Sequence, residues 1–148
     1  MARFLVVEDF PPLASAIRWS IVGAGHTVVN CHSVKATLSL QGSFEHAVLD
    51  VDLPDGNGVD LAEQLCRENR VGSVVFFTGT RDRGLLERAA RMGLVVDKAA
   101  GCKCLMLAIA QLTQPGTYRM VAVAGGSNEV VLESSKRSGT RRKVDDTR

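Results

Sequence analysis

Aromatic residues are scarce, with Phe, Tyr and Trp together making up 5% of the 148 residues and Trp and Tyr occurring once each. A nucleic-acid platform that stacks successive bases on aromatic rings therefore finds no support, and any core must be aliphatic. Long apolar runs are also missing: no stretch reaches the ~18 consecutive apolar residues that a membrane span needs. The opening Met1 to Val7 is too short for the hydrophobic region of a secretion signal, so a cytoplasmic protein is expected. The four cysteines, Cys31, Cys66, Cys102 and Cys104, form no Cys-x-x-Cys pair, and the three histidines do not complete a zinc site with them. Reduced, structurally ordinary thiols are expected. No strong excess of one charge exists either, since the formal net charge is +2. Up to Gln114 there are 11 basic and 12 acidic residues, and from Pro115 onward 7 and 4, so the excess base sits in the tail.

What is present is an ordinary globular mixture, 45% hydrophobic and 23% charged, at the length of one domain or of one domain with an appendage. Apolar runs alternate with segments of helical periodicity. Arg3 to Val7 reads as a buried strand ending on Glu8 and Asp9. Pro11 and Pro12 suit a first helical turn, and Leu13, Ile17, Ile21 and Val22 recur at helical spacing until Gly23 and Gly25. Thr27 to Cys31 reads as a second strand, and Ser33 as the cap of a helix over Val34 to Leu40. Ala47 to Asp50 is a third strand, Leu53 to Gly58 a loop and Val59 to Arg67 a helix. Ser73 to Thr78, the most continuous apolar run, is expected as a central strand buried on both faces. Asp82 caps a fourth helix closed by Gly93, Leu94 to Val96 is a fifth strand, and Lys103 to Leu112 a fifth helix. Five strand–helix units with short loops predict an α/β fold, a doubly wound five-stranded parallel sheet of flavodoxin-like order. A dinucleotide-binding reading fails, because the first turn holds two acids and two prolines instead of Gly-x-Gly-x-x-Gly.

In such a sheet the site lies beyond the carboxyl ends of the strands. Glu8, Asp9, Asp50, Asp52, Thr78 and Lys98 all fall there, while the strands themselves are almost free of charge. Carboxylates at close range raise one another's pKa unless a cation sits among them, and hard oxygen ligands of this kind suit Mg²⁺. Metal, ammonium and hydroxyl together can bind the oxygens of a phosphoryl group in transfer, and a carboxylate can serve as its nucleophile.

This arrangement resembles the response-regulator receiver domain of two-component signalling, over about residues 3 to 113. Val6-Val-Glu-Asp9 is similar to the family's acidic pair, Leu49-Asp-Val-Asp-Leu-Pro54 with Gly58 to its phosphorylation segment, Thr78-Gly79 to its hydroxyl residue and small neighbour, and Lys98 to its lysine. The positions of Pro54 and Gly58 select Asp50, not Asp52. The resemblance implies that Asp50 takes a phosphoryl group from a histidine kinase or phosphotransfer protein. It implies Mg²⁺ held directly by Asp9 and Asp50, by Glu8 mostly through water and by the backbone carbonyl of Asp52, with Thr78 and Lys98 holding the phosphoryl oxygens and Gly79 leaving room for entry. Output would run through contacts with a downstream protein target, without membrane insertion and without turnover catalysis. A homodimer through helices four and five would fit the apolar stretch Leu105 to Leu112.

Three departures from the family pattern stand out. Val95 occupies the switch position where the family usually carries an aromatic ring, so coupling of that ring to Thr78 is in question. Ala99 replaces the proline after the lysine, which predicts a trans bond or an altered loop, because a non-proline cis peptide costs ~3 kcal/mol. The span from Thr78 to Lys98 is slightly short, which would trim helix four. Two other functions compete: a haloacid-dehalogenase-type phosphohydrolase using Asp50 and Asp52, and a degenerate receiver that binds partners without phosphate. The expected organisation is a receiver domain at 1–113 and a C-terminal tail at 114–148. In that tail Tyr118 to Leu132 has the pattern of a hairpin, followed by a polar, basic segment from Ser134 that is expected to be disordered. That segment carries no DNA-binding motif.

Overall fold

The computed structural model describes residues 1–114, 118–123 and 130–134. Five strands, β1 (Arg3–Val7), β2 (Thr27–Cys31), β3 (Phe44–Leu49), β4 (Val71–Thr78) and β5 (Leu94–Asp97), alternate with five helices, α1 (Pro11–Gly23), α2 (Val34–Leu38), α3 (Gly58–Arg67), α4 (Arg83–Met92) and α5 (Gly101–Thr113). The strands form one parallel sheet in the order β2-β1-β3-β4-β5.

Strand side chains alternate between two buried layers. Leu5, Val7, Ala47, Leu49, Val74 and Phe76 pack with Val59, Leu61, Leu65 and Ala89 from α3 and α4. Phe4, Val6, Val48, Val75, Phe77 and Val96 pack with Ile17, Ile21, Leu105 and Ile109 from α1 and α5. Because both faces are covered, the strands read as continuous apolar runs, and charge is left to their ends.

Several boundaries differ from the sequence expectation, each for a local reason. β3 begins at Phe44, because His46, polar in the sequence, pairs across the sheet with Ser73 through Nδ1 and Oγ at 2.5 Å. α2 stops at Leu38, where the Ser39 hydroxyl donates back to the Lys35 carbonyl at 2.9 Å. Lys98–Ala100 forms a 3₁₀ turn, and no peptide bond among the described residues is cis. The Asp97 carboxylate accepts from the Ala99 N–H at 2.8 Å, a bond that proline at this position could not donate.

Tyr118–Val123 and Val130–Ser134 pair antiparallel. The basic segment beyond Ser134, expected to be disordered, lies outside the described residues.

Among the described residues no helix is long and apolar enough to cross a membrane.

Candidate functional site

The register of the sheet brings the predicted residues together. Val7 is paired with Leu49 across β1 and β3, so Glu8 and Asp9 leave the sheet beside Asp50. The Asp50 N–H donates to the Val7 carbonyl at 3.0 Å and prolongs that ladder by one step. On the other side Thr78 is paired with Asp97, which places Lys98 one residue past the end of the β4–β5 ladder. β1 and β3 are neighbours in space but not in sequence, so the site occupies the point where the winding of the sheet reverses.

Glu8, Asp50 and Thr78 are buried, at 2%, 4% and 2% exposure, whereas Asp9 and Asp52 are exposed and Lys98 is intermediate. Lys98 Nζ reaches Asp50 Oδ2 at 2.6 Å and Glu8 Oε2 at 2.9 Å. Asp50 Oδ1 accepts from the Asp52 N–H at 3.2 Å, and Glu8 Oε1 from the Phe10 N–H at 3.2 Å. The Thr78 hydroxyl oxygen accepts from the Thr80 N–H at 3.2 Å, leaving its own proton available for donation.

The protonation balance is uneven. Burial pushes the Glu8 carboxyl above the ordinary carboxylate pKa, and the nearby Asp50 charge adds to that, against the opposing Lys98 and Phe10 N–H bonds. Burial works against the charge on Lys98, but its bonds to Asp50 and Glu8 outweigh it and hold its pKa above the ordinary lysine value. The raised lysine value keeps the ammonium charged between the two carboxylates.

Glu8, Asp9 and Asp50 each offer a carboxylate oxygen, and these oxygens lie within 4.8 Å of one another. Three carboxylates against one ammonium leave an excess of negative charge around a set of hard oxygen donors, which fits Mg²⁺. The Asp52 carboxylate is outside this group.

Of the two positions assigned to switching and access, Val95 is half-buried against the layer holding α3 and α4, and Gly79 is exposed. A Cβ added at Gly79 would meet no atom within 4 Å. Gly58 is different: a Cβ there would lie 1.9 Å from the Asp50 carbonyl oxygen, so only glycine lets α3 begin against the strand end that carries Asp50. Sequence reasoning missed two residues beside the site. His32 Nδ1 is 2.8 Å from the Glu8 carbonyl, and Asp55 bonds the first turn of α2. His32 directly follows a strand, which was the available signal; Asp55 looked like any turn aspartate.

Residues 4–110 match the response regulator receiver domain family. The chain belongs to that family. Solved receiver structures share its fold. HemR from Leptospira biflexa, in its non-phosphorylated form, is 24% identical with a TM-score of 0.70, over 77% of this chain and 95% of its own. A CheY-like receiver protein from Methanospirillum hungatei is 18% identical with a TM-score of 0.70, over 77% and 95%. The response regulator TrrA from Thermotoga maritima, in complex with Mg²⁺-BeF, is 17% identical with a TM-score of 0.67, over 76% and 99%. No curated protein matches the chain. As a receiver, it has the family's five-stranded parallel sheet with the acidic cluster at its carboxyl edge.

Proposed function

We propose that this receiver accepts a phosphoryl group on Asp50 from the phosphohistidine of a histidine kinase or phosphotransfer protein. An Asp50 carboxylate oxygen attacks phosphorus, the P–N bond breaks, the imidazole leaves, and an acyl phosphate remains. The observation that carries the reading is the buried Asp50 carboxylate, paired with Lys98 at 2.6 Å and grouped with Glu8 and Asp9. Lys98 transfers its contact from Asp50 to a phosphoryl oxygen, and the Thr78 hydroxyl donates to another. Asp9, Asp50, Glu8 and the Asp52 carbonyl are the residues that hold Mg²⁺. The ion, when bound, offsets the negative charge of carboxylates and phosphoryl oxygens so that they can approach. The Mg²⁺-BeF complex of TrrA supports this assignment.

The protein then acts by altered contacts with a downstream protein in the cytoplasm, not as a turnover enzyme. Residues 1–113 form the receiver domain and 114–148 a C-terminal extension.

The test is incubation with Mg²⁺ and acetyl phosphate, followed by intact mass and phosphate release, for wild type and Asp50→Asn. A labile adduct on wild type alone, released slowly, is expected. Rapid multiple turnover that depends on Asp52 would favour a phosphohydrolase, and no adduct with no metal binding would favour a phosphate-independent interaction module.

A further inference from the structure

The sheet ladder fixes the ends of β1 and β3, but the proposed metal ligands lie just past those ends, on the turn at 8–10 and the loop at 50–57. Both are gripped by one short segment, the junction between β2 and α2. The Glu8 N–H donates to the Cys31 carbonyl at 3.1 Å, and the Glu8 carbonyl faces His32 Nδ1 at 2.8 Å. A carbonyl only accepts, so Nδ1 carries the proton and both backbone polar groups of Glu8 are taken by two consecutive residues. Two residues further on, Asp55 Oδ1 accepts from the Val34 N–H at 2.8 Å and Oδ2 from the Lys35 N–H at 2.9 Å. These bonds to the backbone of Lys35 and Val34 draw the Asp55 carboxyl below its usual pKa, so it is ionised and accepts through both oxygens at neutral pH. Val34 also closes on the loop: a Cβ at Gly56 would come within 3.2 Å of its Cγ2. The loop itself is pinned by the Asp52–Asn57 and Leu53–Gly56 pairing.

We propose that Cys31–Lys35 is a brace that sets the spacing of the two acidic loops, with His32 and Asp55 as positioning residues for the Mg²⁺ ligands. Neither side chain is a ligand: the carboxylate group at the site comprises Glu8, Asp9 and Asp50. They act at one remove, as supporting residues around metal sites do, where loss typically lowers affinity ~10–100-fold. The inference rests on the metal site proposed above.

The test combines Mg²⁺ titration by calorimetry with amide hydrogen exchange on the intact chain. Asp55→Ala and His32→Ala are each expected to weaken Mg²⁺ binding about tenfold. His32→Asn keeps an N–H where Nδ1 stands and is expected to restore most of the affinity. Asp55→Ala is further expected to speed exchange at residues 52–58 while leaving the β3 and β4 amides protected. Mg²⁺ affinity within twofold of wild type in both alanine variants would overturn the brace, and so would a uniform rise of exchange over all strands, which marks simple destabilisation. Wild-type protein that takes no Mg²⁺ at millimolar concentration, with local exchange still raised in Asp55→Ala, would overturn the metal site and leave the brace supported as a mechanical link.

Discussion

The two sides of the site are built differently. At the ends of β1 and β3, Glu8 and Asp50 are buried, the backbone of Glu8 is held on both sides, Asp55 ties the following loop to α2, and Gly58 sits against the Asp50 carbonyl. At the ends of β4 and β5, only Thr78 is buried to that degree. The chain beyond Thr78 is open: Gly79 touches nothing at its Cβ position, and Arg81, 83% exposed, reaches Asp97, 40% exposed, at a loose 3.5 Å. Exposed pairs of this kind contribute ~0–1 kcal/mol. Val95 and Ala99 fall on this second side as well. The acid-bearing side is thus built on the buried Glu8 and Asp50 with backbone and charge-assisted bonds on both loops, those of the exposed Asp55 among them, whereas beyond Thr78 the ion pair is loose and exposed, and Lys98 joins the two sides. With Asp50 as the proposed nucleophile and Glu8 and Asp9 as proposed metal ligands on the closely held side, β4–α4 is the side left to respond to phosphorylation under that proposal, with valine in place of a ring.

The largest expected effect breaks the acid-bearing side directly. Gly58→Ala forces a methyl to within 1.9 Å of the Asp50 carbonyl, so strand end or helix start must move. A loss of about 3 kcal/mol or more in urea unfolding is expected, in the range of strained core substitutions. Gly79→Ala, whose Cβ meets nothing within 4 Å, is expected to stay within ~0.5 kcal/mol of wild type. Comparable losses at the two glycines would refute the asymmetry.

Next comes the group that joins the sides. Lys98→Ala leaves Glu8 and Asp50 buried without a cation. Unpaired buried charges cost ~3–5 kcal/mol; Lys98 is 28% exposed, so about 2–3 kcal/mol is expected at neutral pH. The pH dependence has a definite sign. The pKa of Glu8 is raised, so its contribution is full below its ordinary value of 4.5 and falls as pH rises through the raised value. Lys98 is raised too, so its contribution is full below 10.5 and is lost only as pH climbs through its own raised value. Removing Lys98 should therefore hurt less as pH falls through the raised Glu8 value, and Mg²⁺ should recover part of the loss. Thermal melts across pH 4 to 8, with and without Mg²⁺, check this; a loss independent of pH and metal would show that the pair matters only for packing.

The sheet was legible because strands covered on both faces must be apolar throughout, so Leu5 to Val7 and Val74 to Phe77 announce themselves and push Glu8, Asp50 and Thr78 to their ends. Convergence of those ends followed from winding alone. His32 and Asp55 were not legible in the same way, since their partners lie 24 and about 20 residues away and depend on how α2 docks. No spacing rule encodes such contacts. The start of β3 was hidden for a related reason: His46 breaks the apolar run, and only the neighbouring strand supplies Ser73 to satisfy it.

The smallest effect tests the remaining thread between the sides. Arg88 on α4 reaches Asp60 at 2.6 Å and Glu63 at 3.0 Å on α3, and Asp60 is also held by Asn57, the residue capping α3 at the end of the acidic loop. Arg88 is the first cause holding the Asp60 carboxyl below its ordinary value of 3.8, with Asn57 second. A depressed carboxyl stabilises the fold above that value and stops doing so as pH falls below it. All three side chains are substantially exposed, at 38%, 62% and 46%, so Arg88→Ala is expected to lower stability only slightly, and less still in high salt. A double-mutant cycle with Asp60→Asn at low and high ionic strength measures the coupling. If α4 is held loosely, the coupling is small and is screened away by salt. A coupling that high salt leaves undiminished, unlike that of exposed pairs, would mean that α4 is locked to the acid-bearing side and that the two sides form one rigid unit.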